Sequence, residues 1–237
     1  MFSCEPGRSL FISHGCLIIS ARVSSTWLHH IHMIKSLKPV TSVIVAALSP
    51  KYGIGAQGKL PWRLKQEMKY FKDVTSAARA GSINAVVMGR KTWESIPKKF
   101  RPLPNRLNIV LSRSFSNEEK DGVLYFNSID SIMSNLAQSN YWYHDKPIDK
   151  IFIIGGAEIY NSVMKGDLVD NLLVTNIRYV GNPEAEPVLD TFLDWDMSLW
   201  EQSNVSRIRE FSDVEFEEGI IKEGDYEYEY TMWERRK

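Results

Sequence analysis

The sequence contains only two cysteines, Cys4 and Cys16, and both lie near its amino terminus. A disulfide framework or a cysteine-based metal site is therefore excluded for the rest of the chain, and such sparse cysteine fits a reducing compartment. Neither sign of charge is in excess, because 29 Lys and Arg residues balance 29 Asp and Glu residues. This balance argues against an extended surface for nucleic acid or for an anionic membrane. Long apolar runs are also absent, since residues 10–19 are interrupted by His14 and fall short of the roughly 20 residues of a membrane-spanning helix.

What is present is the composition of an ordinary globular protein. Of 237 residues, 43% are hydrophobic and 24% are charged, which is enough apolar material for one large core or two small ones. Residues 1–32 differ, because they hold one acid, two arginines, many serines and three clustered histidines without helical or strand periodicity. We predict that this extension is disordered or is not part of the mature protein, with translation starting at Met33. A mitochondrial presequence is an alternative, a secretory signal has the least support, and the histidines predict no metal site.

From residue 40 onward, short β-branched runs alternate with segments of helical spacing, which is typical of an α/β layer structure. The predicted strands are 40–48, 84–89, 108–112, 123–126, 150–156 and 171–177. The predicted helices are 64–74, 90–96, 128–138 and 157–164. Residues 217–236 alternate Tyr with Glu around Gly224 and are expected to form an antiparallel hairpin at a sheet edge. We therefore predict one domain over residues 40–237, with a mixed, mostly parallel central sheet and helices on both faces.

Glu67 is a carboxylate within an apolar helical stripe. The predicted helix has Leu64, Met68 and Phe71 on one face, and Glu67 falls within the same stripe on a helical wheel. Two interpretations are open. An ion pair with Arg63, one turn earlier, would make Glu67 structural. Burial without such a partner would raise the pKa of the carboxyl and suit it to donate or relay a proton.

Two predicted strands end in glycine directly before a helix, at Gly89 and at Gly155–Gly156. Free N–H groups at helix N-termini favour anionic groups, so the two junctions suit a ligand that carries phosphates. Nearby Arg90, Lys91 and Arg113 favour the 2′-phosphate of NADPH over the ribose hydroxyls of NADH. The alternative is that the glycines serve packing alone. Neither of these two strand–helix junctions has the GxGxxG pattern of an ordinary Rossmann site.

A proline-stiffened loop, residues 101–106, has an arginine at each end. Arg106 lies just before a predicted central strand, where its guanidinium can bind a carboxylate through two parallel hydrogen bonds. Capping of nearby carbonyl groups is the alternative interpretation. Arg106 is therefore a candidate for holding an acidic group of a ligand.

Taken together, these segments resemble the dihydrofolate reductase family in its longer, yeast-type form. The resemblance covers about residues 40–237 and rests on VIVAAL, GIGAQGKLPW, LKQEMKYF, GRKTWESIP, RPLPNRLNIVLSR, FIIGGAEIY, LLVTNI and DTF, in that order. It implies a dihydrofolate reductase-like fold and the NADPH-dependent reduction of 7,8-dihydrofolate, with hydride to C6 and a proton to N5. It also implies a role in one-carbon metabolism, inhibition by antifolates, and a cytoplasmic monomer without nucleic-acid or membrane partners.

The resemblance implies a role for each matching residue around the substrate. Glu67 matches the acidic residue that binds N3 and the amino group of the pteridine, and Trp62 matches the residue that steadies a water molecule beside it. Thr175 matches a threonine of the same hydrogen-bond network. Arg106 matches the residue that binds the glutamate α-carboxylate, and Tyr160 a tyrosine near the nicotinamide. The remaining substrate contacts are apolar: Ile44, Val45, Met68, Phe71, Ile96, Leu103 and Ile154.

The cofactor contacts implied by the resemblance form three groups. The first is Ala46 with a mobile loop over the nicotinamide, which consists of Tyr52, Gly53, Ile54, Gly55, Ala56, Gln57 and Gly58. The second comprises the phosphate and adenosine contacts Gly89, Arg90, Lys91, Thr92, Leu111, Ser112, Arg113 and Ser114. The third is the diphosphate turn of Gly155, Gly156, Ala157, Glu158 and Ile159. The resemblance also implies a cis peptide bond between Gly155 and Gly156.

Two rival functions are open on the sequence alone. A pyrimidine reductase of riboflavin biosynthesis resembles the fold and also uses NADPH, but it is expected to lack Glu67 and Arg106. A catalytically silent homologue would bind folate or nucleotide as a regulatory module, yet the acidic residue, the arginine and both glycine turns are all present. The sequence therefore favours the reductase.

Overall fold

The computed structural model describes residues 38–236. The strands are β1 (Val40–Leu48), β2 (Gly53–Gly55), β3 (Ile83–Gly89), β4 (Arg106–Leu111), β5 (Glu118–Lys120), β6 (Val123–Phe126), β7 (Trp142–Tyr143), β8 (Lys146–Ile153), β9 (Asn171–Tyr179), β10 (Thr191–Phe192), β11 (Trp200–Gln202), β12 (Ile221–Glu223) and β13 (Tyr226–Arg235). The α-helices are α1 (Lys65–Ser76), α2 (Arg90–Ser95), α3 (Ile129–Gln138), α4 (Ala157–Val163) and α5 (Val205–Ser212). The extension at residues 1–32 lies outside the described residues, so its assignment as disordered or absent from the mature protein stays a prediction.

One mixed sheet runs through the described domain in the order β11-β13-β9-β1-β8-β3-β4-β6-β5. The central pairs from β9 to β6 are all parallel, whereas β13 runs antiparallel to β9. β12 and β13 form a C-terminal hairpin, in which Ile221 lies opposite Tyr228. This arrangement confirms the predicted sheet and hairpin. The hairpin shares its edge with β11, because Trp200 pairs with Arg235 at the far end of β13.

Helices cover both faces of the sheet, as predicted. Successive strand residues point to opposite faces, so each central strand contributes side chains to an apolar cluster on either face. In β1, Val43 and Val45 pack with residues of α3 and α4 in one apolar cluster, which we call the α4-side cluster. Ile44, between them, packs with residues of α1 and α5 in a second cluster, the α1-side cluster. Burial on both faces explains why the central strands are almost continuously apolar. None of the helices in the described part of the chain is long and apolar enough to cross a membrane.

The helix that carries Glu67 differs from the prediction in its ends and in its buried face. It spans Lys65–Ser76 rather than residues 64–74. Its buried residues are Glu67, Tyr70, Val74 and Thr75. Met68, in contrast, is 49% exposed, so the prediction that it lies on the packed face was wrong. The buried stripe centres near Glu67, and Met68 lies about 100° around the helix from it.

Two strand boundaries also differ from the prediction. β4 begins at Arg106 rather than at residue 108, so Arg106 belongs to the strand. β8 runs from Lys146 to Ile153 rather than over 150–156. It ends before the glycines because Gly155 has a φ of 112°, a conformation that residues with a side chain rarely adopt.

The prediction missed one helix and several short strands. Strands β2, β5, β7, β10 and β11 have two or three residues each, too few for a periodic pattern. Helix α5 had a readable signal. The Asn204 side chain accepts a hydrogen bond from the Arg207 backbone N–H, which is the mark of an N-terminal cap, and Ile208 and Phe211 are buried at helical spacing.

Candidate active site

Glu67 lies on the first turn of α1 and faces the sheet, with only 6% of the residue exposed. Thr175 Oγ1 in β9 donates to Glu67 Oε1 across 3.5 Å, which is a long hydrogen bond. Thr175 is held opposite Ala46 of β1 and Tyr230 of β13. The register of these three strands therefore sets which side chains meet the Glu67 carboxyl.

The surroundings of Glu67 favour its neutral form. Burial raises the pKa of the Glu67 carboxyl from 4.5 to about 7, the negative charge of Glu223 adds to the increase, and the Thr175 hydrogen bond opposes it. Within the described residues, Glu67 interacts with Thr175 and Glu223 and does not form the alternative ion pair with Arg63. A carboxyl with a pKa near neutrality can hold or release a proton under physiological conditions.

The raised pKa of Glu67 predicts a pH-dependent effect of Glu67→Gln on stability. Between pH 4.5 and about 7, the folded state binds a proton that the unfolded state releases, so the free energy of unfolding falls as pH rises through this window. The glutamine variant lacks this loss. Its free energy of unfolding relative to wild type should therefore increase by about 2 to 3 kcal/mol between about pH 5 and about pH 8. Urea unfolding of both proteins at the two pH values measures the difference, and equal differences at both would contradict the burial argument.

Trp62 has a buried polar atom without a partner. The residue is 6% exposed, and its indole Nε1 has no hydrogen-bond partner among the described residues. Its ring packs edge-on against Tyr226, with 6.5 Å between centroids. A buried N–H left unpaired costs about 1 to 3 kcal/mol, and an ordered water is a common way to satisfy it. Trp62 therefore has the donor that the predicted water-binding role requires.

The predicted apolar substrate contacts fall into separate groups. Five of them belong to the α1-side cluster or pack against it: Ile44, Phe71, Ile96, Leu103 and Ile154. Val45 belongs instead to the α4-side cluster, because neighbouring strand residues point to opposite faces. Tyr160 lies in that cluster too, but its hydroxyl donates to the Ile44 carbonyl across 2.9 Å. The structure thus brings most of the apolar set to the face of Glu67 and leaves the Val45 side chain on the other.

Arg106 is a buried cation at the other end of α1. The residue is 7% exposed, Nη1 donates to Thr75 Oγ1 across 2.7 Å, and Nε donates to the Pro104 carbonyl across 3.0 Å. Burial lowers the pKa of Arg106 to about 10, so it stays charged at neutral pH. Within residues 38–236 its hydrogen bonds go to uncharged oxygens and to no carboxylate. Nε therefore caps a carbonyl group, as the alternative interpretation predicted. Nη2 makes no hydrogen bond within the described residues and can bind an anionic group.

Two polar residues that position Arg106 were missed by the sequence analysis. Thr75 accepts from Arg106 while its own hydroxyl donates to the Phe71 carbonyl across 2.7 Å. Asn108 exchanges two hydrogen bonds of 2.9 Å with the Leu103 backbone and donates to the Arg106 carbonyl. An asparagine inside an apolar strand was the available signal, because a buried amide needs partners.

The two glycine junctions lie side by side, at the carboxyl ends of the neighbouring strands β3 and β8. Parallel pairing of β3 with β8 places Val87 opposite Ile153, and the Gly89 N–H donates to the Gly155 carbonyl across 2.7 Å. The Gly155–Gly156 peptide bond is cis, as the resemblance implied. A Cβ on Gly155 would lie 3.1 Å from the Tyr160 ring. Neither α2 nor α4 has a side-chain cap at its N-terminus, so the first-turn N–H groups of Ala157, Glu158 and Ile159 are not taken by a capping side chain.

The predicted cationic residues surround these junctions. Arg90 and Lys91 begin α2, and Arg113 follows β4, whose Leu111 lies opposite Gly89. All three cationic side chains are exposed. Arg90 has one weak ion pair, 3.9 Å from Glu94. Half-buried Thr92 and Ser112 lie beside them, and the Ser112 hydroxyl is 3.0 Å from that of Ser114. The structure therefore collects the predicted phosphate contacts at one end of the sheet.

The predicted mobile loop, residues 52–58, is tied to a second segment. The Gln57 N–H donates to Asp190 Oδ2 across 2.7 Å, and the Asp190 N–H donates to the Gly55 carbonyl across 3.2 Å. Tyr52 packs edge-on against Trp195, with 4.9 Å between ring centroids. These contacts from residues 190–195, which hold the loop in place, were not predicted from the sequence.

The comparisons with known proteins agree on one family. A sequence profile of dihydrofolate reductase matches residues 41–218. The dihydrofolate reductase of Candida albicans is 46% identical over 202 residues, which cover 84% of this chain and 99% of that protein. The enzyme of Saccharomyces cerevisiae is 39% identical over 208 residues, covering 81% of this chain and 95% of the relative. A solved structure of Schistosoma mansoni dihydrofolate reductase matches with a TM-score of 0.66 and 29% identity, covering 84% of this chain and 100% of that chain. The chain belongs to the dihydrofolate reductase family.

Proposed function

We propose that this chain is an NADPH-dependent dihydrofolate reductase, which reduces 7,8-dihydrofolate to 5,6,7,8-tetrahydrofolate. The observation that carries the proposal is the placement of Glu67 and Arg106 at opposite ends of α1. Glu67 lies on its first turn, and Arg106 is hydrogen-bonded to Thr75 in its last turn. Eight helical residues span about 12 Å, and the apolar Phe71 lies between the two. This spacing suits a ligand with a hydrogen-bonding ring at one end, an apolar middle and a carboxylate at the other end.

The chain's own residues divide the work of the reaction. When bound, NADPH supplies the hydride that C6 of the dihydropterin accepts. The Glu67 carboxyl binds N3 and the amino group of the pterin and supports protonation at N5, to which its pKa of about 7 is suited. The proton comes either from Glu67 itself or from a water molecule held by Trp62 Nε1, and both routes reduce the same C=N bond. The apolar residues of the α1-side cluster hold the pterin ring and exclude bulk water.

The residues at the glycine junctions fit a nicotinamide dinucleotide. Gly155 approaches both Gly89 and the Tyr160 ring so closely that a side chain would crowd the turn. The adjacent helices present N–H groups that no side chain caps, and such groups favour phosphates. We assign the diphosphate to Gly155–Ile159 and the 2′-phosphate to Arg90, Lys91 and Arg113. Family membership implies a reduced nicotinamide cofactor, and these cations favour NADPH over NADH.

Replacing Arg90 and Arg113 by Ala should raise the KM for NADPH far more than the KM for NADH. Charge-assisted hydrogen bonds to a phosphate are worth about 1.5 to 3 kcal/mol each, so each loss should cost roughly tenfold to 100-fold in KM. Steady-state kinetics with both cofactors measure the difference. Arg178→Ala is the matched control, because Arg178 is also exposed but pairs with Glu227 in the neighbouring strand β13. Equal effects on both cofactors would remove Arg90 and Arg113 from the 2′-phosphate site.

Oxidation of NADPH in the presence of dihydrofolate tests the activity directly. We expect turnover with dihydrofolate and none with the pyrimidine substrate of the riboflavin-pathway reductase. Turnover with that pyrimidine alone, or with neither substrate, would support one of the two rival functions.

We further propose that the enzyme works as a cytoplasmic monomer without nucleic-acid partners. The scarcity of cysteine fits the reducing cytoplasm, the balanced charge argues against a nucleic-acid partner, and the monomer rests on the family resemblance alone. A mitochondrial location through residues 1–32 is the alternative. Sedimentation of the full chain and the cellular location of a C-terminally tagged protein test these statements.

A further inference from the structure

The helix that carries Glu67 is capped by a residue from the opposite end of the sequence. Leu64, the residue before the helix, offers no side-chain cap. Instead Glu223, the last residue of β12, accepts a hydrogen bond from the Lys65 N–H across 2.5 Å and from the Gln66 N–H across 3.2 Å. Tyr228 in β13 donates its hydroxyl to the same carboxylate across 3.2 Å. The C-terminal hairpin therefore fixes the start of α1, two residues before Glu67.

This cap brings a negative charge close to the candidate catalytic carboxyl. The free N–H groups of a helix N-terminus carry positive potential, which stabilises an ionised carboxylate in the first turn. The Glu223 carboxylate occupies those N–H groups and opposes that stabilisation. Its charge raises the pKa of Glu67, in addition to the larger effect of burial.

The other groups that interact with Glu67 through hydrogen bonding or charge in the described structure are hydroxyls. They belong to Tyr70 of α1, Tyr160 of α4, Thr175 of β9, and Tyr228 and Tyr230 of β13. Burial raises the pKa of each of these tyrosines above its usual value, so none of them carries charge near neutral pH. Glu223 is thus the charged group of this set.

We propose that Glu223 is a positioning residue for the reduction, because its carboxylate accepts the Lys65 and Gln66 N–H groups and so anchors the first turn of α1, which carries Glu67. The inference rests on the proposed role of Glu67 in protonation at N5. Through Glu223, the C-terminal hairpin would then help to position Glu67, a role that neither the glycine turns nor the substrate contacts have.

Glu223→Gln separates the charge from the cap. The amide oxygen still accepts one helix N–H, whereas the negative charge is lost. Removing a unit charge at this range should lower the Glu67 pKa by about half a unit to one unit. Two readouts follow it in the full chain: the 13C NMR titration of the Glu67 carboxyl, assigned by its absence in Glu67→Gln, and the pH profile of single-turnover hydride transfer. Above the titration midpoint the rate should fall about threefold to tenfold, and in acid it should match wild type.

Two further variants serve as controls. Glu217→Gln removes a charge at an exposed position that also contacts α1, but it accepts from the Gln66 side chain across 3.0 Å rather than from a helix N–H. It should move neither readout, because exposed charges are screened. Glu223→Asp keeps the charge and should keep the midpoint near that of wild type.

The outcomes distinguish this inference from the proposed function. A lower melting temperature of Glu223→Gln with an unmoved Glu67 midpoint would show a purely structural cap and overturn the inference. A midpoint that moves while the pH–rate profile does not would overturn the proposed role of Glu67, and with it the catalytic part of the inference. Parallel movement of both readouts supports the inference.

Discussion

Glu67→Gln should slow hydride transfer at neutral pH by about 10²- to 10⁴-fold, the range that general acid–base groups usually contribute. Glutamine keeps the shape of the side chain but cannot ionise, and its amide favours the wrong hydrogen-bond pattern on the pterin. The rate should become strongly pH-dependent and recover in acid, where the substrate itself is protonated at N5. The buried position of Glu67 leaves bulk water no direct route to replace the missing carboxyl.

Single-turnover rates against pH check this result, because they isolate hydride transfer from product release. The melting temperature, measured in parallel, shows that the variant is folded. Glu217→Gln, an exposed glutamate in contact with the same helix, should retain the wild-type profile. Wild-type rates for Glu67→Gln at neutral pH would remove Glu67 from the protonation step.

The burial of Glu67 could be predicted because helical periodicity is local. The eleven residues 64–74 were enough to place Glu67 on the buried face of α1, although they misplaced Met68. The same reasoning could have separated Ile44 from Val45, since strand alternation places their side chains on opposite faces. The family resemblance had assigned both to the substrate pocket, and the structure places only the Ile44 side chain on the face of Glu67.

Contacts between distant segments could not be predicted from the sequence. The cap from Glu223 to Lys65 joins residues 158 positions apart, and the hydrogen bond from Arg106 to Thr75 joins residues 31 positions apart. Such contacts depend on sheet register and on the entry angle of the helix, and neither leaves a periodic signal. The sequence could predict only that Gly89 and Gly155 follow strands that end on the same side of the sheet. The 2.7 Å hydrogen bond between them could not be predicted, because it depends on the turn geometry.

Arg106→Leu should fail in a different way from Glu67→Gln. The change leaves the pterin end of the site intact but removes a buried, charged partner for the glutamate carboxylate of the substrate. Loss of such a desolvated pair costs about 2 to 5 kcal/mol, so the KM for dihydrofolate should rise roughly 30-fold to several-thousand-fold. The kcat should stay nearly unchanged, because Arg106 does not touch the reacting atoms. Arg101→Leu, at the other end of the loop and stacked 5.2 Å from the Trp93 ring, is the matched control and should have a much smaller effect.

A substrate without the glutamate tail separates binding of the carboxylate from damage to the site. For a tail-less dihydropterin, wild type and Arg106→Leu should have the same kcat/KM, because the guanidinium then has no carboxylate to bind. The variant should also stay folded. The pKa of Arg106, lowered to about 10 by burial, means that the folded state is penalised for holding the charge, and leucine removes that cost. If Arg106→Leu loses as much on the tail-less pterin as on dihydrofolate, Arg106 supports the site through Thr75 and Pro104 rather than through the substrate carboxylate.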